Sequence, residues 1–120
     1  MLSGRGATTI KRLECPMPRL QVSIVRFVDE SQPGFVECEF TDANGTIHTI
    51  VDKVPIFSVD DLWSDSVYPQ PGFAGCEVLA RLEDPRGHKL ARVTIAKPDC
   101  LESTGGRSEF VVLESQISDE

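Results

Sequence analysis

The 120-residue chain holds few side chains able to do chemistry, and their spacing limits what they could do. Glu39 and Glu77 occupy matching positions of two similar segments, residues 32–40 and 70–78. If those segments meet about a twofold axis, the carboxylates could share a proton, hold a cation or divide general acid and base work. The plainer reading is two solvated strand residues, because strand alternation turns both away from the interior. Cys38 or Cys76 could act as a nucleophile with His48 or His88 as base, which requires a thiol pKa lowered in an electropositive, partly exposed pocket. The same alternation buries both thiols in an acidic chain, so inert core cysteines are expected. Cys15, His48, His88 and Cys100 are the available zinc ligands, yet no two form the closely spaced pair that structural zinc sites use. No metal and no cofactor are expected.

A second group gathers in residues 58–68. Asp60, Asp61 and Asp65 surround the only tryptophan, Trp63, and stand just before the only tyrosine, Tyr68. The acids lack the alternation, central glycine and terminal glutamate of a calcium loop, and capping of a short helical turn by Ser58 accounts for them. Aromatic residues beside acids have the composition of a hot spot for a basic protein partner. The alternative is that both rings plug the mouth of a barrel. There is no Walker loop, dinucleotide fingerprint, G-x-S-x-G elbow or H-E-x-x-H run to support the chemistries those motifs carry.

The elements that must position these residues follow from an internal repeat. Gln32-Pro33-Gly34-Phe35-Val36-Glu37-Cys38-Glu39-Phe40 is echoed 38 residues later by Gln70-Pro71-Gly72-Phe73-Ala74-Gly75-Cys76-Glu77-Val78, with six of the first eight positions identical. Pro-Gly opens each copy as a turn, and apolar residues then alternate with charged ones at the period of a half-buried strand. Asp42-Ala43-Asn44-Gly45 and Glu83-Asp84-Pro85-Arg86-Gly87 form the hairpin turns, with returning strands near 46–52 and 88–96. Leu20 to Val28 reads as a central or bulged strand, Glu109 to Leu113 as the last strand, and residues 58–63 as one short helical turn. The predicted fold is all-β: a small closed or semi-closed antiparallel barrel built from two repeated hairpins related by an approximate twofold axis. An immunoglobulin-like sandwich is the alternative.

Residues 20–120 are expected to form this single domain, preceded by a flexible N-terminal extension, residues 1–19, whose Cys15-Pro16-Met17-Pro18 run opposes helix and strand. Net charge is −7, but the first nineteen residues carry +3, and eight basic against eighteen acidic residues leave −10 for the remainder. A field of that sign repels nucleic acid and anionic membranes and attracts a basic protein. A charge of this size also simply keeps a small domain in solution. No apolar stretch is long enough to cross a bilayer and no secretory signal is present, so a cytoplasmic location and reduced thiols are expected. An Arg- and Lys-bearing, nearly acid-free start leaves an organelle transit peptide as an alternative reading of residues 1–13.

Lys53-Val54-Pro55, Tyr68-Pro69-Gln70-Pro71-Gly72-Phe73, Glu102-Ser103-Thr104 and Phe110-Val111-Val112 resemble segments of a set of small bacterial β-barrel proteins without an assigned activity. The resemblance covers residues 17–117, implies a natural start near Met17, and carries over no catalytic residue. The functional expectation is therefore a non-enzymatic protein-interaction or regulatory module with an acidic surface, a toxin-neutralising protein being one form of it. Trp63, Tyr68, Asp60, Asp61 and Asp65 are its binding residues. The alternative is a small enzyme or ligand-binding barrel with Glu39 and Glu77 in a pocket between the hairpins, and a homodimer sharing a hairpin edge is a third arrangement.

Overall fold

Alternating apolar residues make Arg19–Asp29 the strand around which the rest is arranged. The computed structural model describes residues 18–30, 34–60 and 62–118. In this first strand, β1, Leu20, Val22 and Ile24 are buried on one face. Further along, its pairing shifts between Ile24 and Arg26 and between Phe27 and Asp29, so the strand is both central and bulged.

β2 (Phe35–Thr41) and β3 (Ile47–Lys53) form the first hairpin, in register from Phe35 opposite Lys53 to Thr41 opposite Ile47. Gly45 sits at φ 87° in its turn, a conformation that costs glycine little. The chain then makes one helical turn, α1 (Val54–Phe57), with Pro55 in the first turn where its missing N–H leaves no partner unmet. The helical turn predicted at 58–63 is displaced to this position. Ser58 closes α1, its N–H donating to the Val54 carbonyl at 3.1 Å, instead of opening a helix.

β4 (Gln70–Gly75) and β5 (Glu77–Glu83) are successive parts of the second repeat, interrupted at Cys76. β6 (Lys89–Thr94), β7 (Glu109–Leu113), a 3-10 turn (Glu114–Gln116) and the short β8 (Ile117–Ser118) complete the chain. One sheet has the order β3-β2-β1-β4, with β8 added against Arg19 and Leu20 of β1; the other has the order β5-β6-β7. The architecture is antiparallel β throughout.

Of the expected closed or semi-closed barrel, the closed form is not found: the two sheets stay open. On one side the chain itself passes between them at Cys76, whose N–H bonds the Pro18 carbonyl. On the other, single bonds replace a ladder, from Ala43 N to Val111 O and from Thr104 N to Thr49 O, each 2.8 Å. The twofold axis is absent as well. β2 and β4 flank β1 on opposite sides, both run antiparallel to it and both turn the same side to the interior, whereas a twofold axis normal to the sheet would reverse one copy and an axis along the strands would turn its face over.

The surroundings of the two copies differ at residues 37 and 75. The first copy has Glu37, whereas the second has Gly75, and a Cβ on Gly75 would stand 3.0 Å from Pro98 Cδ and 3.2 Å from Asp99 Oδ2. The turn at residues 97–99 therefore lies directly on the second copy. Both copies nonetheless send their thiol to one interior: Cys38 and Cys76 are fully buried with Leu20, Ile24, Ile50, Val93, Phe110 and Val112. Phe40 meets Phe110 edge-on at 5.0 Å, joining the sheets across that interior. The first strand begins at Arg19, and residues 1–17, most of the expected extension, lie outside the described residues. Among the described residues no helix is long and apolar enough to cross a membrane.

Candidate functional site

Between α1 and β4 the chain has no sheet partner, so its backbone groups must be satisfied locally. Side chains do this. Ser58 Oγ accepts from Asp60 N at 3.0 Å, Ser66 Oγ accepts from Trp63 N at 2.9 Å, and Tyr68 donates its hydroxyl to the Trp63 carbonyl at 2.8 Å. Gln70 Nε2 donates to the Val67 carbonyl at 2.8 Å. Leu62 anchors the middle of the segment in the core.

This pinned loop holds apolar side chains in water. Val59 is 100% exposed, Val67 81% and Trp63 56%. Asp60 and Asp65 are exposed among them, and Asp61 lies outside the described residues. Tyr68 differs from the others: it is half-buried against the core and its hydroxyl serves the loop's own backbone. Thus Trp63 is a surface residue, and Tyr68 acts as a brace.

The loop runs between two hollows. One, about 370 Å³, is lined by Arg19, Ile56, Val59, Asp60, Phe73 and Asp99 among others. Arg19 lies over the Phe73 ring, its guanidinium carbon 4.3 Å from the ring centre. The other hollow, about 550 Å³, lies where β2 and β8 diverge along the edge of β1, and Gln21, Ser23, Glu39, Thr41, Gln70 and Gln116 give it a polar wall. Pro71 lines both hollows.

Glu39 thus reaches a cleft between the two repeats, and Glu77 does not. Glu39 sits opposite Ser23 and Thr49 within the first sheet, whereas Glu77, beyond the break at Cys76, opens β5 in the second. The structure does not bring the two carboxylates together. Among the described residues the Glu39 carboxylate makes no hydrogen bond or ion pair.

The histidines are committed elsewhere. Asp42 begins the first hairpin turn, and its Oδ1 accepts from Asn44 N (2.8 Å) and Thr46 N (3.0 Å). Its Oδ2 meets His48 Nε2 at 2.7 Å. Asp84 repeats the arrangement in the second hairpin: Oδ1 accepts from Arg86 N (2.9 Å) and His88 N (2.8 Å), and Oδ2 meets His88 Nδ1 at 2.8 Å. Burial alone would raise the Asp42 pKa, but the hydrogen bonds from His48, Thr46 and Asn44 and the charge of His48 bring it below the ordinary value. At Asp84 the bonds from the His88 backbone and ring lower it, with Arg86 adding to the effect. These two turn locks escaped sequence reasoning, although an aspartate leading a hairpin turn with histidine four or six residues later is their signal.

The thiols offer no nucleophile in the core. Burial first, and the adjacent Glu37 charge second, push the Cys38 thiol up to about 12. Neither histidine stands free as a base, since His48 and His88 are each bonded to their own aspartate. Of the zinc candidates, Cys15 lies outside the described residues, and among the described residues no three His, Cys, Asp or Glu side chains gather to hold a metal ion. No protein-family model, no curated protein and no solved structure matches the chain.

Proposed function

We propose that the chain is a non-enzymatic interaction module that takes a basic protein partner on the loop at residues 58–69. The observation carrying this reading is that Val59, Trp63 and Val67 are held out in water by a loop whose backbone is already hydrogen-bonded. An apolar set on a preformed loop loses little conformational freedom on binding and gains by leaving water. Asp60 and Asp65 at its border, within a domain of strongly negative charge, favour a partner bearing lysine and arginine. The hollows at either end of the loop offer seats for side chains on both sides of Trp63.

The scaffold for this role is read as a semi-closed barrel, supported by the continuous passage from β4 to β5 and by the two single bonds across the opposite gap. A cytoplasmic setting, with Cys38, Cys76 and Cys100 reduced, accompanies the reading. Regulation or neutralisation of a basic protein is the role such a surface fits. Capture of partners from a lysate with the whole chain and with Trp63→Ser/Val67→Ser tests it. A basic protein retained by the first, lost with the second and released by salt supports the reading; identical captured sets from the two count against it.

A second reading has its own observation, the free Glu39 carboxylate in the 550 Å³ cleft with Gln21 and Ser23 beside it. A small polar or cationic ligand suits that wall. Retained partner capture alongside a Glu39-dependent small-molecule affinity favours this second site.

A further inference from the structure

Opposite charges share the hollow between α1 and β4 without pairing. Alternation turns Arg19 away from the core, since its neighbour Leu20 is buried, and sets it opposite Gly75 on β4. A side chain at Gly75 would collide with the turn at 97–99, which brings Asp99 Oδ2 to 3.2 Å from the place of a Cβ. Arg19 nonetheless lies on Phe73, its guanidinium carbon 4.3 Å from the ring centre. Asp60, at the start of the loop, lines the same hollow as Arg19 and Asp99. Arg26, Arg81 and Arg92 each pair with a glutamate, whereas among the described residues Arg19 makes no ion pair. Its Nε is buried and has no hydrogen-bond partner there.

The class of ligand follows from which charges go unmet. An unpaired guanidinium against apolar walls calls for a carboxylate, which it binds through two parallel N–H donors. A simple anion, however, would also face Asp60 and Asp99 and be repelled by them. Among the described residues neither of those carboxylates makes a hydrogen bond or ion pair. A simple cation would suit the two acids and be repelled by Arg19. Only a molecule carrying both signs meets each group. The remaining wall is apolar, with Ile56, Phe57 and Val59. At about 370 Å³ the hollow lies at the small end of ligand sites, with room for a free small molecule.

We infer that this hollow binds a free α-amino acid with an apolar side chain. Its carboxylate lies on the Arg19 guanidinium, its ammonium faces Asp60 and Asp99, and its side chain packs on Ile56, Phe57 and Val59. Taken side-on, through Nε and one Nη after a small turn of the guanidinium, the carboxylate also ends the isolation of Nε. The apolar wall excludes water from this contact and strengthens it. The inference is separate from the loop's proposed partner: binding is read on the purified chain alone, so its failure leaves partner capture untouched.

Titration of the full chain with L-leucine and with L-phenylalanine to about 10 mM, followed in proton–nitrogen NMR spectra, tests it over a range that resolves millimolar affinity. Saturable shifts are expected at the Arg19 Nε–H and at the backbone amides of Phe73 and Val59. N-acetyl-leucine lacks the ammonium and leucinamide the carboxylate, and each should bind at least about tenfold more weakly than leucine. Arg19→Gln should weaken leucine binding at least about tenfold. Asp60→Asn with Asp99→Asn changes only exposed positions, so the fold persists, and should weaken it about three- to fivefold. Circular dichroism establishes that the variants compared are folded; if Arg19→Gln is not, the aspartate variant and the two analogues decide. Absence of saturable shifts with both amino acids overturns the proposal. So does N-acetyl-leucine binding as tightly as leucine, which would make this an anion site only. Leucinamide binding as tightly, or unchanged leucine affinity in the folded variants, overturns it as well.

Discussion

Replacing Asp42 by alanine removes one carboxylate that holds a hairpin turn and a histidine together. The magnitude follows from what is left behind. His48 is only 9% exposed at its side chain and lies between two rings, with centre distances of 5.3 Å to Phe40 and 4.5 Å to Phe110. Water reaches it poorly, so losing the 2.7 Å bond to Asp42 leaves a buried polar nitrogen unpaired. The N–H groups of Asn44 and Thr46 are exposed and recover water, so they add less. A cost of about 2–3 kcal/mol is expected, most of it from His48.

The second hairpin supplies the control. Asp84→Ala breaks the same pattern of bonds, but His88 is 61% exposed and water replaces its partner. Its effect should be distinctly smaller. Urea unfolding of the two variants side by side reads the difference. With a denaturant slope of roughly 1.5 kcal/mol per molar, Asp42→Ala should move the midpoint by about 1.3–2 M. Equal shifts for the two variants would refute the argument that burial of His48, and not the turn chemistry, sets the cost. The pH dependence has a fixed sign. Both carboxyls titrate lower in the folded chain than in the unfolded one, so the unfolded chain binds more protons between the two values. The stabilisation is complete above the ordinary carboxylate range and is lost as pH falls through the depressed folded values; Asp42→Ala and Asp84→Ala should each flatten this acid limb.

Other expectations follow from separate parts of the molecule. The Cys38 thiol, raised from 9.0 to about 12, stays protonated in the fold while the unfolded chain ionises, so stability should fall with rising pH between those values. Cys38→Ala should remove that contribution to the alkaline slope, as read by unfolding at pH 8 to 10, and an unchanged slope would contradict it. Gly72→Ala places a Cβ 2.9 Å from the Phe57 carbonyl and 2.7 Å from Ile24 Cδ1, so α1 or β1 must shift; a loss of about 1–3 kcal/mol is expected in the same assay, and a neutral result would mean α1 sits farther from β4. Trp63→Ser with Val67→Ser should change stability by no more than about 0.5 kcal/mol while abolishing partner capture, because neither side chain belongs to the core.

Much of the strand pattern was legible because it rests on period-two alternation. Val36, Cys38 and Phe40 point inward, and Glu109–Leu113 is a strand as predicted. The errors have physical causes. Repetition of sequence invited symmetry, but Gly75 standing where the first copy has Glu37 lets the turn at 97–99 press on the second copy, and at Cys76 the chain turns into a different sheet. With β5 in the second sheet, Glu77 stands apart from Glu39 and the paired-carboxylate site does not form. Ser58 was read as a helix start because serine followed by acids has that form. Pro55 had already begun the helix one turn earlier, and Ser58 ends it. The composition of the acidic aromatic loop was legible, but not the division of labour within it. That Trp63 faces water while Tyr68 braces the backbone depends on hydrogen bonds that spacing does not encode.

The most direct measurement of the proposed role is site-resolved crosslinking. A photoreactive residue placed at Val59 or at Val67, both fully or largely in water, leaves Trp63 and the core unchanged. The account predicts covalent adducts to one basic protein from both positions, suppressed by salt, with no such adduct from a probe at the exposed Glu102, outside the loop. Adducts of equal yield from position 102, or none from positions 59 and 67 in a lysate where the whole chain captures its partner, would contradict it.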